Sequence, residues 1–283
     1  MKKFWIRTAS SVVYVALFLG TMMSDVLIKN RYYSALVFLA FMLFVACGCT
    51  FEFYRITKMR GGRPMEWLGY AEVCLVVGCG YIACYSELYT YSLLFACIFL
   101  FFPISSILLL WRKTDPSMDD IGRTFIPVLY IALPLSHMLM LQIFDISYLL
   151  LIVALVWIND ACAYMLGSLI GEHKMWPKYS PGKTWEGTLS GVVFAMVAGT
   201  CAALCWPSAL HYHADWWQGA ILGLICGVIG TLGDLVESML KRSVGLKDSG
   251  KILPGHGGFL DRFDSLLLVI PFAIVFYFFC SSI

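Results

Sequence analysis

Along the chain, apolar runs of about 20 residues alternate with short polar segments from one end to the other. A helix rises 1.5 Å per residue, so about 20 mostly apolar residues cross a hydrocarbon core about 30 Å thick. Each run therefore predicts a spanning helix. The runs are Thr8–Ile28, Tyr33–Phe51, Trp67–Tyr85, Tyr91–Trp111, Thr124–Phe144, Ile146–Ile170, Thr188–Trp206, Trp216–Leu240 and Ser265–Ile283. The pattern predicts an all-α integral membrane protein with about nine transmembrane helices.

The cations provide an independent test, because Lys and Arg concentrate in cytoplasmic loops. With nine spans and a cytoplasmic N-terminus, all of the 20 cations except Lys29 and Arg31 fall on the cytoplasmic side. A missed or added span would scramble that alternation, so the C-terminus is expected on the opposite side. The first run follows Met1-Lys2-Lys3, but it is long and has no small-residue cleavage pattern before Asp25. It reads as an uncleaved helix rather than a signal peptide.

Composition agrees. Hydrophobic residues make up 60% of the chain and charged residues 13%, against roughly 45–50% and 25% in soluble domains. A net charge of +2 without basic arms gives no case for nucleic acid. The eleven cysteines lie mostly within the runs and form no metal-type pairs in polar loops, which reads as packing. Without repeats or long linkers, the chain is expected to be a single polytopic membrane domain, with N-terminal spans over 1–145 and catalytic spans and loops over 146–283.

Charge inside a span is costly, about 2.5–3.5 kcal/mol at the centre on insertion scales, and must face protein or water. Two places carry it. In the sixth run, Asn159 and Asp160 interrupt an apolar stretch, with Tyr164, Gly167 and Gly171 following on the same helical face. In the eighth, Asp234, Glu237, Ser238 and Lys241 fall at i, i+3, i+4 and i+7. They form one polar stripe, with Asp234 about 10 Å deeper than Lys241 and Glu237 nearer the surface. Asp160 taken alone is also what a helix-packing contact would use. Gly219, Gly223, Gly227, Gly230 and Gly233 form a ridge on the eighth run whose simplest meaning is close helix contact.

The loop after the eighth run concentrates chemistry. Gly255, Gly257 and Gly258 surround His256 and allow backbone N–H groups to approach an anion, while Lys241, Arg242, Lys247 and Arg262 can neutralise phosphate. Asp261 and Asp264, at i and i+3, share a face if the ninth helix starts there. Oxygen ligands of this kind suit Mg²⁺ bound together with substrate phosphates. In the loop from Gly171 to Gly187, Gly182-Lys183-Thr184 invites a P-loop reading. That motif needs glycine where the chain has Pro177, and no strand is expected before it, so it is rejected. Ser180, Lys183 and Thr184 remain candidates for a phosphate or headgroup.

Taken together, Ser238, Lys241, Arg242, Lys247, Asp248, Gly250, Pro254, His256, Gly257, Gly258, Asp261, Arg262 and Asp264 resemble the signature of the phosphatidate cytidylyltransferases, the CDP-diacylglycerol synthases. Asn159-Asp160 with Ala163-Tyr164, Ser180-Pro181 with Lys183 through Gly187, and Gly233-Asp234-Leu235 with Glu237-Ser238 are also similar to that family. The resemblance covers Trp157–Asp264, and Lys251 stands where asparagine is expected. It implies transfer of CMP from CTP to phosphatidic acid, giving CDP-diacylglycerol and pyrophosphate, with Mg²⁺ as cofactor; the compactness of the chain suggests a bacterial inner membrane, and the cations put the site on the cytoplasmic side. The resemblance also implies a homodimer. Asp234 and Asp261 are then the metal ligands, with Asp264 and Asp160 as further candidates. Lys241, Arg242, Lys247, His256 and Arg262 hold phosphates, Ser180 and Lys183 complete the substrate site, and Ser238, Asp248, Gly257 and Gly258 line it.

Two other readings use some of the same residues. An ion-coupled transporter would also bury Asp160 and Asp234, but it has no need of the charged cytoplasmic loop. A CTP-dependent lipid kinase, such as a polyprenol kinase, would use similar substrates and release CDP.

Overall fold

The computed structural model describes residues 2–84, 100, 103–105, 107–108, 118–210, 215–250 and 257–281. Most of the fourth predicted span, His256 and the cations Arg112, Lys113 and Lys251 lie outside the described residues. The chain forms two compact units, one of Met1–Phe144 with Ser243–Arg262 and the other of Asp145–Arg242 with Phe263–Ile283. Among the described residues the fold is all-α apart from one short hairpin.

The first unit begins with α1 (Lys2–Met22) and the short α2 (Ser24–Ile28), which ends at Lys29 with φ 50°. The first predicted span is thus broken at Met23. Asn30 then caps α3 (Arg31–Met59), its side chain accepting from the N–H groups of Tyr32 and Tyr33. This helix runs eight residues beyond Phe51, the expected end of the second span, and so carries Glu52 inside it. After the turn at Gly61, α4 (Glu66–Ala83) follows. α5 (Met118–Pro127) passes through a π turn, Val128–Ala132, into α6 (Leu133–Phe144). The widened turn ends two residues before Pro134, whose missing N–H cannot serve the ladder. Tyr54 on α3 donates to the carbonyl of Thr124 at 2.9 Å, and Gln142 on α6 donates to Met22 O and Ser34 Oγ, each at 3.3 Å. These bonds satisfy polar groups that lipid could not.

In the second unit, Asp145 caps α7 (Ile146–Ile170), accepting from Tyr148 N at 3.0 Å. Strands β1 (Lys174–Trp176) and β2 (Ser180–Thr184) pair antiparallel, with Lys174 opposite Thr184 and Trp176 opposite Ser180. A strand therefore does precede Gly182-Lys183-Thr184, contrary to expectation. The P-loop remains excluded by Pro177, because a glycine is needed there for the backbone to wrap a phosphate. Thr184 caps α8 (Trp185–Cys205) through Gly187 N, and α9 (Trp216–Arg242) ends on Lys241 and Arg242, cations that suit the negative end of the helix dipole. The last helix, α10 (Leu260–Ser281), starts five residues earlier than Ser265.

Small residues bring α7, α8 and α9 together. A Cβ on Gly199 would run into the carbonyl of Gly219, and one on Gly219 into the carbonyl of Gly199. A Cβ on Gly223 would meet Met196 Cα at 2.6 Å, and one on Gly187 would meet Gly167 Cα at 2.8 Å. These helices touch backbone to backbone, the mode available where lipid provides no hydrophobic drive for association.

Six helical stretches among the described residues are long and apolar enough to cross a membrane: Arg31–Met59, Met118–Phe144, Ile146–Ile170, Trp185–Cys205, Trp216–Arg242 and Leu260–Cys280. Their outward faces carry large apolar side chains such as Leu169, Val197 and Val275, all exposed. Exposed apolar faces of this extent fit lipid tails rather than water. The chain is an integral membrane protein. The cysteines among the described residues are free thiols.

Candidate active site

In the second unit the polar stripe of α9 is built as its spacing requires. Glu237 and Lys241, one turn apart, form an ion pair at 2.5 Å, with side-chain exposures of 0% and 11%. Glu237, expected nearer the surface, is fully buried, because neighbouring helices cover that turn. Ser238 Oγ donates to Asp234 Oδ1 at 3.3 Å. Lys183, at the end of the hairpin, reaches Asp234 Oδ2 at 2.9 Å and donates to the carbonyl of Thr231 at 3.0 Å. One ammonium thus binds both a carboxylate and a carbonyl of α9.

Asp264 enters from α10 at the point where α9 has no side chain. A Cβ on Gly233 would sit 2.6 Å from Asp264 O and 2.9 Å from Ser265 Cα, so the two backbones meet there. As a result Asp234, Glu237 and Asp264 each offer a carboxylate oxygen within 4.8 Å of the others. Asp160 on α7 is in electrostatic reach of Lys183, Asp234 and Asp264. Its neighbour Asn159 donates to Asp160 Oδ1 at 3.1 Å and to Thr231 Oγ1 at 3.3 Å, tying α7 to α9. Like charges this close in a low dielectric repel strongly unless cations or protons offset them. Lys183 and Lys241 supply two positive charges.

In the first unit, Ser249 to Asp261 forms a second constellation. Asp261 Oδ2 accepts from Gly258 N at 2.7 Å and Ser249 N at 3.0 Å, and lies 2.9 Å from Ser249 Oγ. Gly257 has φ +82°, and a Cβ there would sit 2.5 Å from Asp261 Oδ2. The glycines therefore make room for a carboxylate of the protein itself, and the anion that meets the Gly258 N–H is Asp261. Glu52, wholly buried on α3, accepts from Ser249 Oγ at 2.7 Å, Leu260 N at 2.9 Å and Phe259 N at 3.1 Å.

The remaining expected residues are placed as follows. Ser180 opens β2 and is half-buried. Arg242 is exposed and donates from Nε to Tyr179 O at 3.2 Å, joining the end of α9 to the hairpin. Lys247 and Asp248 are exposed, and Arg262 is half-buried. Asp234, Asp264, Asp160, Lys183, Ser238 and Lys241 gather in the second unit, whereas Asp248, Gly257, Gly258 and Asp261 belong to the first.

Sequence reasoning passed over Glu52 and Glu72. Both are 0% exposed, and neither carboxylate oxygen of Glu72 has a hydrogen-bond partner among the described residues. The signal was present: an acid flanked by Phe51, Phe53 and Tyr54, and another inside the third apolar run. The filter for buried charge that selected Asp160 and Asp234 selects Glu72 on α4 as it stands, and Glu52 once α3 is allowed its full length.

The model of the Cytidylyltransferase family matches residues 5–280. The phosphatidate cytidylyltransferase of Bacillus subtilis is 39% identical over 163 residues, which are 56% of this chain and 59% of that protein. Those of Staphylococcus saprophyticus and Staphylococcus aureus are 37% and 38% identical over 159 and 163 residues, 56% of this chain and 60% of each relative. The chain spans about 60% of the length of the curated relatives it matches.

Proposed function

Because the chain belongs to the Cytidylyltransferase family, we propose that it transfers CMP from CTP to phosphatidic acid, giving CDP-diacylglycerol and pyrophosphate. The observation that carries this reading is the cluster of Asp234, Glu237 and Asp264, with Lys183 and Lys241 paired to it, inside helices that can span a membrane. A lipid phosphate and a nucleotide can meet at such a place.

The nucleophile is an oxygen of the phosphatidate phosphomonoester, which has a second pKa of about 6 and is already anionic at neutral pH. No strong general base is required. That oxygen attacks the α-phosphorus of CTP, the bond from this phosphorus to the oxygen bridging to the β-phosphate breaks, and pyrophosphate departs with the electron pair. The protein's task is to bring two anions together and hold them in line. Lys183 and Lys241 balance carboxylates, and the same ammonium groups can take phosphate oxygens in exchange. In the second unit Arg242 extends the positive charge, with Ser180 and Ser238 lining the substrate site; Lys247, Asp248, Gly257, Gly258 and Arg262 of the first unit, and His256, join this reading on the family resemblance alone.

The carboxylate cluster fits Mg²⁺, a hard cation that binds through one or two carboxylates together with substrate phosphates. Asp234, Glu237 and Asp264 would hold it, with Asp160 a further ligand in the same unit; Asp261, in the first unit, is proposed as a ligand on the family resemblance alone. When bound, the ion supplies polarisation of the α-phosphate and charge for the departing pyrophosphate.

The reading includes nine spans, a cytoplasmic N-terminus, an outer C-terminus and a site open to the cytoplasm; the alternation of Lys and Arg supports it. It extends to a homodimer in the bacterial inner membrane, supported by the family resemblance and the bacterial sources of the relatives. The test is incubation of the purified protein with CTP, Mg²⁺ and phosphatidic acid. Pyrophosphate and a cytidine-bearing lipid are the expected products. Release of CDP with a newly phosphorylated lipid would replace this reading with a lipid kinase.

A further inference from the structure

One face of α3 is shaped to receive the glycine-rich loop. Phe44, Gly48 and Glu52 lie at i, i+4 and i+8, so they line up along the helix. The ring of Phe259 stands edge-on to Phe44 with centroids 5.1 Å apart. A Cβ on Gly48 would meet Phe259 Cδ2 at 2.5 Å, so the missing side chain leaves the space this ring fills. One turn further, Glu52 accepts the N–H groups of Phe259 and Leu260 at the start of α10, along with the Ser249 hydroxyl. A wholly buried carboxylate is stable only with donors around it, and all three donors come from this loop. A Cβ on Gly250 or Gly258 would run into the Glu52 carboxylate.

Ser249 passes the constraint onward. Its Oγ lies 2.7 Å from Glu52 Oε2 and 2.9 Å from Asp261 Oδ2, and its N–H also donates to Asp261. The position of the Asp261 carboxylate therefore depends on a side chain more than 200 residues away in sequence.

We propose that Glu52 is a positioning residue for the reaction. From α3 it fixes the backbone at Phe259–Leu260 and, through Ser249, the orientation of Asp261. The kinetic part of this inference rests on the cytidylyltransferase reading. The backbone part does not.

The test is Glu52→Gln in the full chain, with two readouts. The glutamine keeps the size of the side chain but turns an amide donor toward groups that already donate. Hydrogen exchange at the amides of residues 257–262, measured without CTP or lipid, is expected to rise at least about tenfold while exchange in α7 and α8 stays parental. The Mg²⁺ concentration giving half-maximal CMP transfer is expected to rise about 10- to 100-fold, the usual effect of losing a group that orients a metal ligand. A merely structural role would lower the yield of folded protein without moving that midpoint. Where Glu52→Gln yields no folded protein, Ser249→Ala is measured instead, with the same shifts expected at smaller size. Parental exchange together with a parental Mg²⁺ midpoint in the variant measured overturns the proposal. Absence of CMP transfer in the parent protein overturns the functional reading, while the exchange measurement still decides the role of Glu52.

Discussion

Two buried carboxylates, Glu237 and Glu52, are both 0% exposed in helices long enough to span a membrane, and they are stabilised in opposite ways. Glu237 in the second unit faces the Lys241 ammonium at 2.5 Å, beside Asp234, which is paired with Lys183. Glu52 in the first unit takes two backbone amides and a hydroxyl. A mobile ammonium can exchange one anion for another, so the first arrangement suits a place where phosphates arrive and leave. Backbone amides at a helix start have no such freedom, and the second arrangement suits a fixture. Glu72 follows neither pattern, since it has no hydrogen-bond partner among the described residues.

The largest effect is expected from Asp234→Asn. It removes a cluster charge and the partner of Lys183 while keeping the shape, so CMP transfer should fall at least about 100-fold with the thermal unfolding midpoint in detergent little changed. Near-normal turnover would remove the working cluster from the comparison. Next is Lys241→Met. Taking away its ammonium leaves Glu237 buried beside two other carboxylates, which is expected to destabilise the protein by about 3–5 kcal/mol. Unfolding in graded denaturant measures this, and a variant as stable as the parent would show that Glu237 is not held by the lysine.

A smaller loss is expected from Gly199→Ala, whose added methyl must fit against the Gly219 carbonyl. Overpacking of this kind costs about 1–3 kcal/mol, and the variant should unfold at lower temperature without a change in the Mg²⁺ midpoint. The smallest change is expected from Glu72→Gln. With no hydrogen-bond partner among the described residues, replacing the acid by an amide of the same shape should leave stability within about 1 kcal/mol of the parent or raise it. A clear loss in that variant would give Glu72 a role like that of Glu52.

Much of the fold was legible because helical periodicity is local. The apolar run Ile146–Ile170 coincides with α7, and the stripe at 234, 237, 238 and 241 is a polar face because 3.6 residues make a turn. The helix ends were less legible. α3 and α10 extend past their apolar runs because protein partners, not lipid, surround those turns: Glu52 sits in one extension, and Leu260 and Asp261 sit in the other. Glu52 escaped notice for that reason, its apolar run having been ended at Phe51.

By itself, the order of residues determined the spanning helices, the distribution of cations and the inventory of carboxylates, lysines and glycines, all set by hydropathy, charge and spacing within a few turns. Tertiary structure alone decided the partners: Lys183 with Asp234, Asp264 beside the bare backbone at Gly233, and Ser249 with Glu52. Such pairings depend on where helices cross and on which side chains are missing at the crossing. A helix repeats every turn, and its own periodicity cannot say which turn another segment will meet.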